Sequence, residues 1–315
     1  SGTGEPNATI TIKDAAGNVI ATATVASNGT WSAPTTALPE GTNALSITAT
    51  DVAGNTSPAT PLTLTIDTLA PAQPAAPDLV ATSDSGTSST DNLTKDNTPS
   101  LAVTAPPAGG SVVLYVDGVA VAATYDAATG TVTPNVALTD GAHAITYAVV
   151  DAAGNTSPTS AALTVTIDTT LPATPAAPDL TAATDSGSSS TDNNTGDNTP
   201  DLNIGVVPAG TTPVLYVDGV AVPATATTDS NGNTILTPTA PLTDGAHSIT
   251  TAVVDAAGNT STQSTALSVT IDTQAPAAPG SVLALASDTG TVGDSTTSVA
   301  STISVSNMLN IPERN

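Results

Sequence analysis

The 315 residues contain no cysteine and no phenylalanine, and only one Trp, one Met and two His. Without cysteine there are no disulfide staples, and the redox compartment stays open: a cytosolic protein and a secreted one stiffened by bound metal both fit. Without Phe, each core must be built from Val, Ile, Leu and Ala, which suits thin sandwiches better than a wide enzyme cleft. Positive charge is almost as scarce. Lys13, Lys95 and Arg314 are the only full-time cations against 27 acidic residues, and the net charge is −24. Such a surface repels nucleic-acid phosphates and anionic membranes, and divalent cations are its natural complement. Of the acids only Glu5, Glu40 and Glu313 are Glu. The rest are Asp, a turn and metal-ligand residue and a poor helix former, so helix is expected to be scarce. No secretory leader and no apolar run long enough to cross a bilayer is found. The chain is therefore expected neither to begin at a native secretory N-terminus nor to anchor itself.

What the chain does have is repetition. The string D-x-A-G-N-T-S occurs at Asp51 to Ser57, Asp151 to Ser157 and Asp255 to Ser261, at spacings of 100 and 104 residues. I-D-T follows each copy, ending at Thr68, Thr169 and Thr273, and a Pro-rich stretch follows in turn. A period near 100 residues is domain-sized rather than solenoid-like. It divides the chain into a first unit, 1–68, lacking its opening strand, two complete units, 69–168 and 169–272, and the start of a fourth, 273–315. The tail from Asn307 to Asn315 matches nothing in the repeats.

Within the units, period-two alternation predicts strands. Leu62, Leu64 and Ile66 match Leu163, Val165 and Ile167, and Leu267, Val269 and Ile271, with small or polar residues between. Leu45, Ile47 and Ala49 match Ile145, Tyr147 and Val149, and Ile249, Thr251 and Val253. These two strands flank the A-G-N turn and predict a hairpin. Asp117-Gly118 and Asp218-Gly219 predict a second, since Asp-Gly supplies the positive φ angles of a type I′ turn. The fold expected is all-β: tandem seven-stranded immunoglobulin-like sandwiches in an extended array, joined by Pro-rich, semi-rigid spacers.

Several residues invite a functional role. His143 and His247 share a slot that Asn43 fills in the first unit, which favours a structural position over zinc or catalysis. Matching Ile10 and Ile12 to Val113 and Tyr115 places Tyr115, and with it Tyr216, on the apolar face as packing rather than as a sugar platform. Trp31 matches Val132 and Ile235 in the same way. The carboxylates carry the sharper expectation, because many fall near the junctions with few cations to pair them. The string alone certifies nothing, since Asp14 to Asn18 repeats it at a plain hairpin. Sandwich topology predicts that the last strand of one unit meets the first strand and last hairpin turn of the next. Asp67 would then face Asp84, Asp91, Asp151 and Asn155, and Asp168 would face Asp185, Asp192, Asp255 and Asn259. Oxygen-only ligands predict Ca²⁺ as the ion.

The strings D-L-V-A-T-S-D-S-G-T-S-S-T-D-N from Asp78 and D-L-T-A-A-T-D-S-G-S-S-S-T-D-N from Asp179 precede T-P, L-Y-V-D-G, L-T-D-G-A-H, D-A-A-G-N and I-D-T. Together they resemble the bacterial Ig-like repeats of giant type I-secreted RTX-type adhesins and biofilm-associated proteins, over essentially residues 1–296. The resemblance implies export to the bacterial cell surface, a stalk whose distant tip domains contact host or bacterial surfaces, and Ca²⁺ at the junctions. It implies as ligands Asp67, Asp84, Asp91 and Asp151, then Asp168, Asp185, Asp192 and Asp255, with a weaker third junction at Asp272 and Asp288. Expected partners are the neighbouring repeats of a monomeric chain, with no nucleic acid and no membrane insertion. The alternative function is direct binding of a glycan, ice or a partner protein through Thr-rich faces, exemplified by Thr9 and Thr11. No nucleophile and base pair and no cofactor motif points to an enzyme.

Overall fold

The computed structural model describes residues 1–278, and no helix occurs among them. Asp288, with most of the expected fourth unit, lies outside the described residues. In the second unit one sheet holds Val119–Val121, Ser111–Val116, Gly141–Val150, Leu163–Ile167 and Leu93–Thr94, in that order. The facing sheet holds Ala123–Asp126, Thr131–Pro134, Leu101–Ala102 and Asp78–Leu79. The third unit repeats this plan strand for strand, from Asp179–Leu180 to Leu267–Ile271. Seven chain passes make nine strand segments because two passes change sheets. The opening pass gives Asp78–Leu79 to the smaller sheet and then Leu93–Thr94 to the larger one, where it runs parallel to the last strand. Val119–Val121 likewise crosses into Ala123–Asp126 through Ala122.

Each core is the single layer of aliphatic side chains between the sheets. Leu101, Leu114, Ile145 and Val165 are fully buried in the second unit, as are Leu202, Leu215, Ile249 and Val269 in the third. Each contributes roughly 1.5–3 kcal/mol of transfer free energy. The first unit has one four-stranded sheet, from Thr9–Lys13 to Thr60–Ile66, and a two-residue pair, Gly2–Thr3 with Thr30–Trp31. With so little facing it, Leu62 and Leu64 stay exposed there, whereas their counterparts Leu163 and Val165 are half-buried and fully buried.

Two register expectations are corrected. Pairing to the long strand makes Val112 and Leu114, not Val113 and Tyr115, the counterparts of Ile10 and Ile12, so Tyr115 and Tyr216 stand half-buried on the outer face. In the third unit Leu236, not Ile235, takes the buried place of Val132. The type I′ turns form as expected, with φ of +52° at Asp117 and +80° at Gly118, and the same angles at Asp218 and Gly219.

In the D-x-A-G-N-T-S string the Asp, Asn and Ser side chains each make hydrogen bonds that build the turn or the strand beyond it. The Asp accepts from the main-chain N–H of the Asn, at 2.8 Å for Asp151 and Asn155, and from its side-chain amide at 3.0 Å. Beyond that turn the ladder to the last strand is interrupted, and serine hydroxyls replace it. Ser157 Oγ accepts from Val149 N at 3.1 Å and Ser160 Oγ from Tyr147 N at 3.1 Å, each donating onward to a carbonyl. The same pairs recur at Ser261 and Ser264.

The Pro-rich spacers are not free coil. Pro74 and Pro77 are buried three residues apart, the period of an extended polyproline strand, and Gln73 Nε2 donates to Thr159 O at 2.7 Å. Each spacer therefore lies along the unit that follows it. Tyr147 marks the one large difference between the two complete cores. It is fully buried, and its hydroxyl accepts from Thr104 N at 2.8 Å. The third unit has Thr251 there, Ile204 buried in place of Val103, and an Asn203 side chain accepting from Gly205 N at 2.9 Å. Tyr147→Phe should therefore cost the second unit about 1 kcal/mol by stranding the Thr104 N–H. Thermal unfolding should show that one transition lowered and the others unmoved.

Candidate functional site

The junctions are built from three segments of each unit: the I-D-T end of the last strand, the D-x-A-G-N turn, and the S-D-S-G segment of the opening pass. I-D-T is held by its own unit. Thr169 N and Oγ1 both donate to Asp140 Oδ1, at 3.0 and 2.8 Å; Glu40 holds Thr68 and Asp244 holds Thr273 in the same way. Those hydrogen bonds hold the Asp140 carboxyl below its ordinary pKa, the Thr169 hydroxyl contributing most.

Asp67 and Asn155 do meet, through Asn155 Nδ2 donating to Asp67 O at 3.0 Å, and Asn259 Nδ2 donates to Asp168 O at 2.7 Å. The other expected groupings are corrected. Because the opening pass changes sheets, the loop after Ser83 is carried to the end of the sandwich where the last strand finishes. Asp168 N donates to Thr94 O at 2.9 Å, Thr166 N donates to Asn92 O at 2.8 Å, and Thr94 Oγ1 donates to Ser83 O. The segment carrying Asp84 and Asp91 thus lies at the end of the unit where the last strand reaches Asp168, away from Asp67, Asp151 and Asn155. By the same bonds the segment carrying Asp185 and Asp192 lies at the end where the last strand reaches Asp272 rather than facing Asp168, with Asp272 N donating to Thr195 O at 2.9 Å. The S-D-S-G segment belongs to the junction downstream of its unit.

The carboxylates divide by what they already hold. Asp151 and Asp255 spend both oxygens on their own turns. Asp229 and Asn233 make an identical turn that the sequence strings did not disclose, because D-S-N-G-N departs from their wording. Asp84 and Asp185 differ. Each is 4% exposed, and in each Oδ1 is buried with no hydrogen-bond partner, while Oδ2 accepts one N–H at 3.3 Å, from Asn92 or Asn193. Burial pushes the Asp84 carboxyl up; the Asn92 N–H opposes this, and the charges of Asp91 and Asp78 add to it. Among the described residues no three His or acidic side chains cluster closely enough to hold a metal by themselves. Any ion here would draw on backbone carbonyls as well.

His143 is held in a clamp. Its Nδ1 lies 2.7 Å from Asp117 Oδ2 and its Nε2 2.8 Å from Thr139 O; both oxygens accept, so the clamp is complete when both ring nitrogens are protonated. Asp117 Oδ1 also accepts from Ala144 N at 2.8 Å. His247, Asp218 and Thr243 repeat the arrangement. No ring nitrogen is left to serve a nucleophile. In the first unit Asn43 Nδ2 donates to the carbonyls of Pro39 and Gly41, both at 2.9 Å, and so ties the same loop without charge.

Fold and junctions define a tandem array of immunoglobulin-like β-sandwich units, each tied to its neighbour end to end. The chain belongs to the bacterial Ig-like domain family: residues 70–169 and 170–273 each match that family, and residues 1–65 match the family described as bacterial Ig domain. No curated protein matches it. Among solved structures, the fibronectin(III)-like modules of CbhA from Clostridium thermocellum are 14% identical, over 57% of this chain and 87% of theirs, with a TM-score of 0.38. A 1.5-MDa bacterial ice-binding adhesin is 19% identical over 84% of this chain and 85% of that one, with a TM-score of 0.28. The BSP domain of a biofilm associated protein is 20% identical over 53% and 26%, with a TM-score of 0.22.

The histidine clamps generate a pH dependence. Hydrogen bonds to Asp117 and Thr139 raise the His143 pKa, and those to Thr243 and Asp218 raise that of His247. A cation whose folded pKa lies above its unfolded value of about 6.5 stabilises fully below that pH, and its contribution is lost as pH rises through the folded value. Melting temperatures of the second and third units should fall as pH rises from 6 toward 8. His143→Asn with His247→Asn should flatten that slope.

Proposed function

We propose that this chain is a calcium-stiffened stalk segment of a large bacterial surface adhesin, supporting cell adhesion and biofilm formation by projecting a distant tip domain. Tandem membership of the bacterial Ig-like family supports a role as a repeated extracellular spacer. The observation that carries the calcium part is the pair of buried, unpartnered oxygens, Asp84 Oδ1 and Asp185 Oδ1, at the downstream end of two successive units. An orphaned carboxylate oxygen in a buried site is costly unless a cation meets it. Oxygen donors alone, from Asp and carbonyls, suit Ca²⁺ rather than a transition metal. Asp84 and Asp91 would hold one ion together with backbone carbonyls near Asp168, and Asp185 and Asp192 another with those near Asp272. Bound there, Ca²⁺ supplies charge compensation and ties the S-D-S-G segment to the end of the last strand. At the first junction Asp67, Asp151 and Asn155 join by direct hydrogen bonding, and no buried orphan oxygen lies there. Among the described residues no helix is long and apolar enough to cross a membrane, so attachment to the cell is assigned to other parts of the adhesin.

Calorimetric melting in chelator and in Ca²⁺ tests this. Ca²⁺ at a hundredfold over its Kd should stabilise the second unit by about 2.7 kcal/mol. Asp84→Asn should abolish that gain while raising stability in chelator at neutral pH, because it removes a buried, uncompensated carboxylate. The sign follows from the raised pKa: the neutral acid stabilises below the unfolded pKa, and that contribution is lost as pH rises through the folded one. A Ca²⁺ response that survives Asp84→Asn would place the ion elsewhere.

One observation favours a second reading, direct binding through a Thr-rich face. In the first unit Thr24, Thr9 and Thr50 pair across three strands, as do Thr22, Thr11 and Thr48, giving two solvent-facing ranks. The second and third units place Tyr115 and Ala148, or Tyr216 and Ala252, on the matching face, so these two ranks belong to the first unit. Binding on a glycan array or an ice-affinity column, lost in Thr11→Val with Thr48→Val, would support it. Blanks in both assays would remove it.

A further inference from the structure

The turn D-A-A-G-N-T is identical in the second and third units, yet its surroundings differ. Ala257 is 1% exposed and Asn259 4% exposed, whereas the matching Ala153 is exposed and Asn155 half-buried. The difference lies in the unit upstream. The turn at Asp255 meets an S-D-S-G segment, whereas among the described residues the turn at Asp151 makes one junction bond, to Asp67 O.

Contacts at the second junction run from side chains of one unit to main-chain carbonyls of the other. Ser85 Oγ donates to Ala257 O at 2.8 Å, Lys95 Nζ donates to Gly258 O at 2.7 Å, and Asn259 Nδ2 donates to Asp168 O. A Cβ on Gly86 would stand 2.0 Å from Ala256 O, and one on Gly258 would stand 3.0 Å from Gly86 Cα. Only glycine at 86 permits this approach. The receiving surface is also built in advance. Ser85 Oγ accepts from Lys95 N at 2.9 Å and pairs with Thr94 Oγ1 at 3.0 Å; Ser186 makes the same bonds to Gly196 N and Thr195 Oγ1, at 2.8 and 3.0 Å, although among the described residues no turn is seated on it. Preorganisation of this sort lowers the cost of docking.

We infer that the S-D-S-G segment is a docking socket for the D-x-A-G-N turn of the following unit, so that the second junction is locked by polypeptide contacts needing no metal, while the first, whose turn is not seated in this way, is looser. This goes beyond the calcium reading and does not rest on it. Lys95, one of the chain's three cations, serves as a donor to a main-chain carbonyl of the next unit rather than pairing a carboxylate.

The absence of native cysteine allows paired labels on the full chain. Val119→Cys with Val220→Cys, both 65% exposed, reports the second junction, and Val19→Cys with Val119→Cys reports the first. Distance distributions by electron spin resonance in chelator should be narrow for the second junction and broad for the first. Gly86→Val should abolish the narrow distribution at the second junction and leave the first unchanged. Because Gly86 has φ of +112° and a side chain there strains its own loop, Ala257→Glu provides a variant from the opposite partner. It should have the same effect, and Ala153→Glu none. Equal widths at both junctions in chelator, or a second junction indifferent to both variants, would overturn the inference. A second junction that narrows only on adding Ca²⁺ would overturn it too, while supporting the calcium reading. A narrow second junction in a chain with no Ca²⁺ response would leave the socket standing and the calcium reading rejected.

Discussion

Both ends of each linker are hydrogen-bonded into the units they join, and the behaviour of the array depends on that constraint. At the first junction Thr68 is held by Glu40 of its own unit, Asp67 O by Asn155 of the next, and Gln73 by Thr159, so only Leu69 to Ala72 remain between the ties. A linker this short cannot let neighbouring sandwiches wander freely, whatever the ion content of the solution. Differences in stiffness between junctions must come from what the facing surfaces add. The second junction adds a socket and a seated turn.

The charge distribution follows from the same economy. A chain with three cations cannot neutralise its carboxylates by ion pairing, and among the described residues the two pairs it makes are both Asp–His. Most of the others accept hydrogen bonds within turns; at Asp14, Asp51 and Asp229 the side-chain amide and main-chain N–H of the Asn four residues on, and at Asp126 the Thr129 hydroxyl and a main-chain N–H, hold those four carboxyls below their ordinary pKa. Turn-building thus disposes of much of the negative charge without metal. Asp84 and Asp185 stand out because their loops bury a carboxylate oxygen without giving it a donor, and that separates a candidate ion site from an ordinary Asx turn.

Strand alternation and the Asp-Gly turns were legible in the sequence, because each depends on interactions within a few residues of chain: the period of a half-buried strand and the positive φ of a tight turn. The run Val112 to Val116 was ambiguous for a physical reason. It is apolar at every position, so alternation does not say which face is inward, and the one-residue slip that placed Tyr115 in the core followed. Tertiary structure alone decided which junction each carboxylate serves. The opening pass leaves one sheet, crosses to the other and runs parallel to the last strand, and no local signal in S-D-S-G announces that crossing, since its cause is pairing with residues some seventy positions away. That pairing carries Asp84 to the end occupied by Asp168, sets Gly86 against the turn of the next unit, and leaves one oxygen of Asp84 buried without a partner.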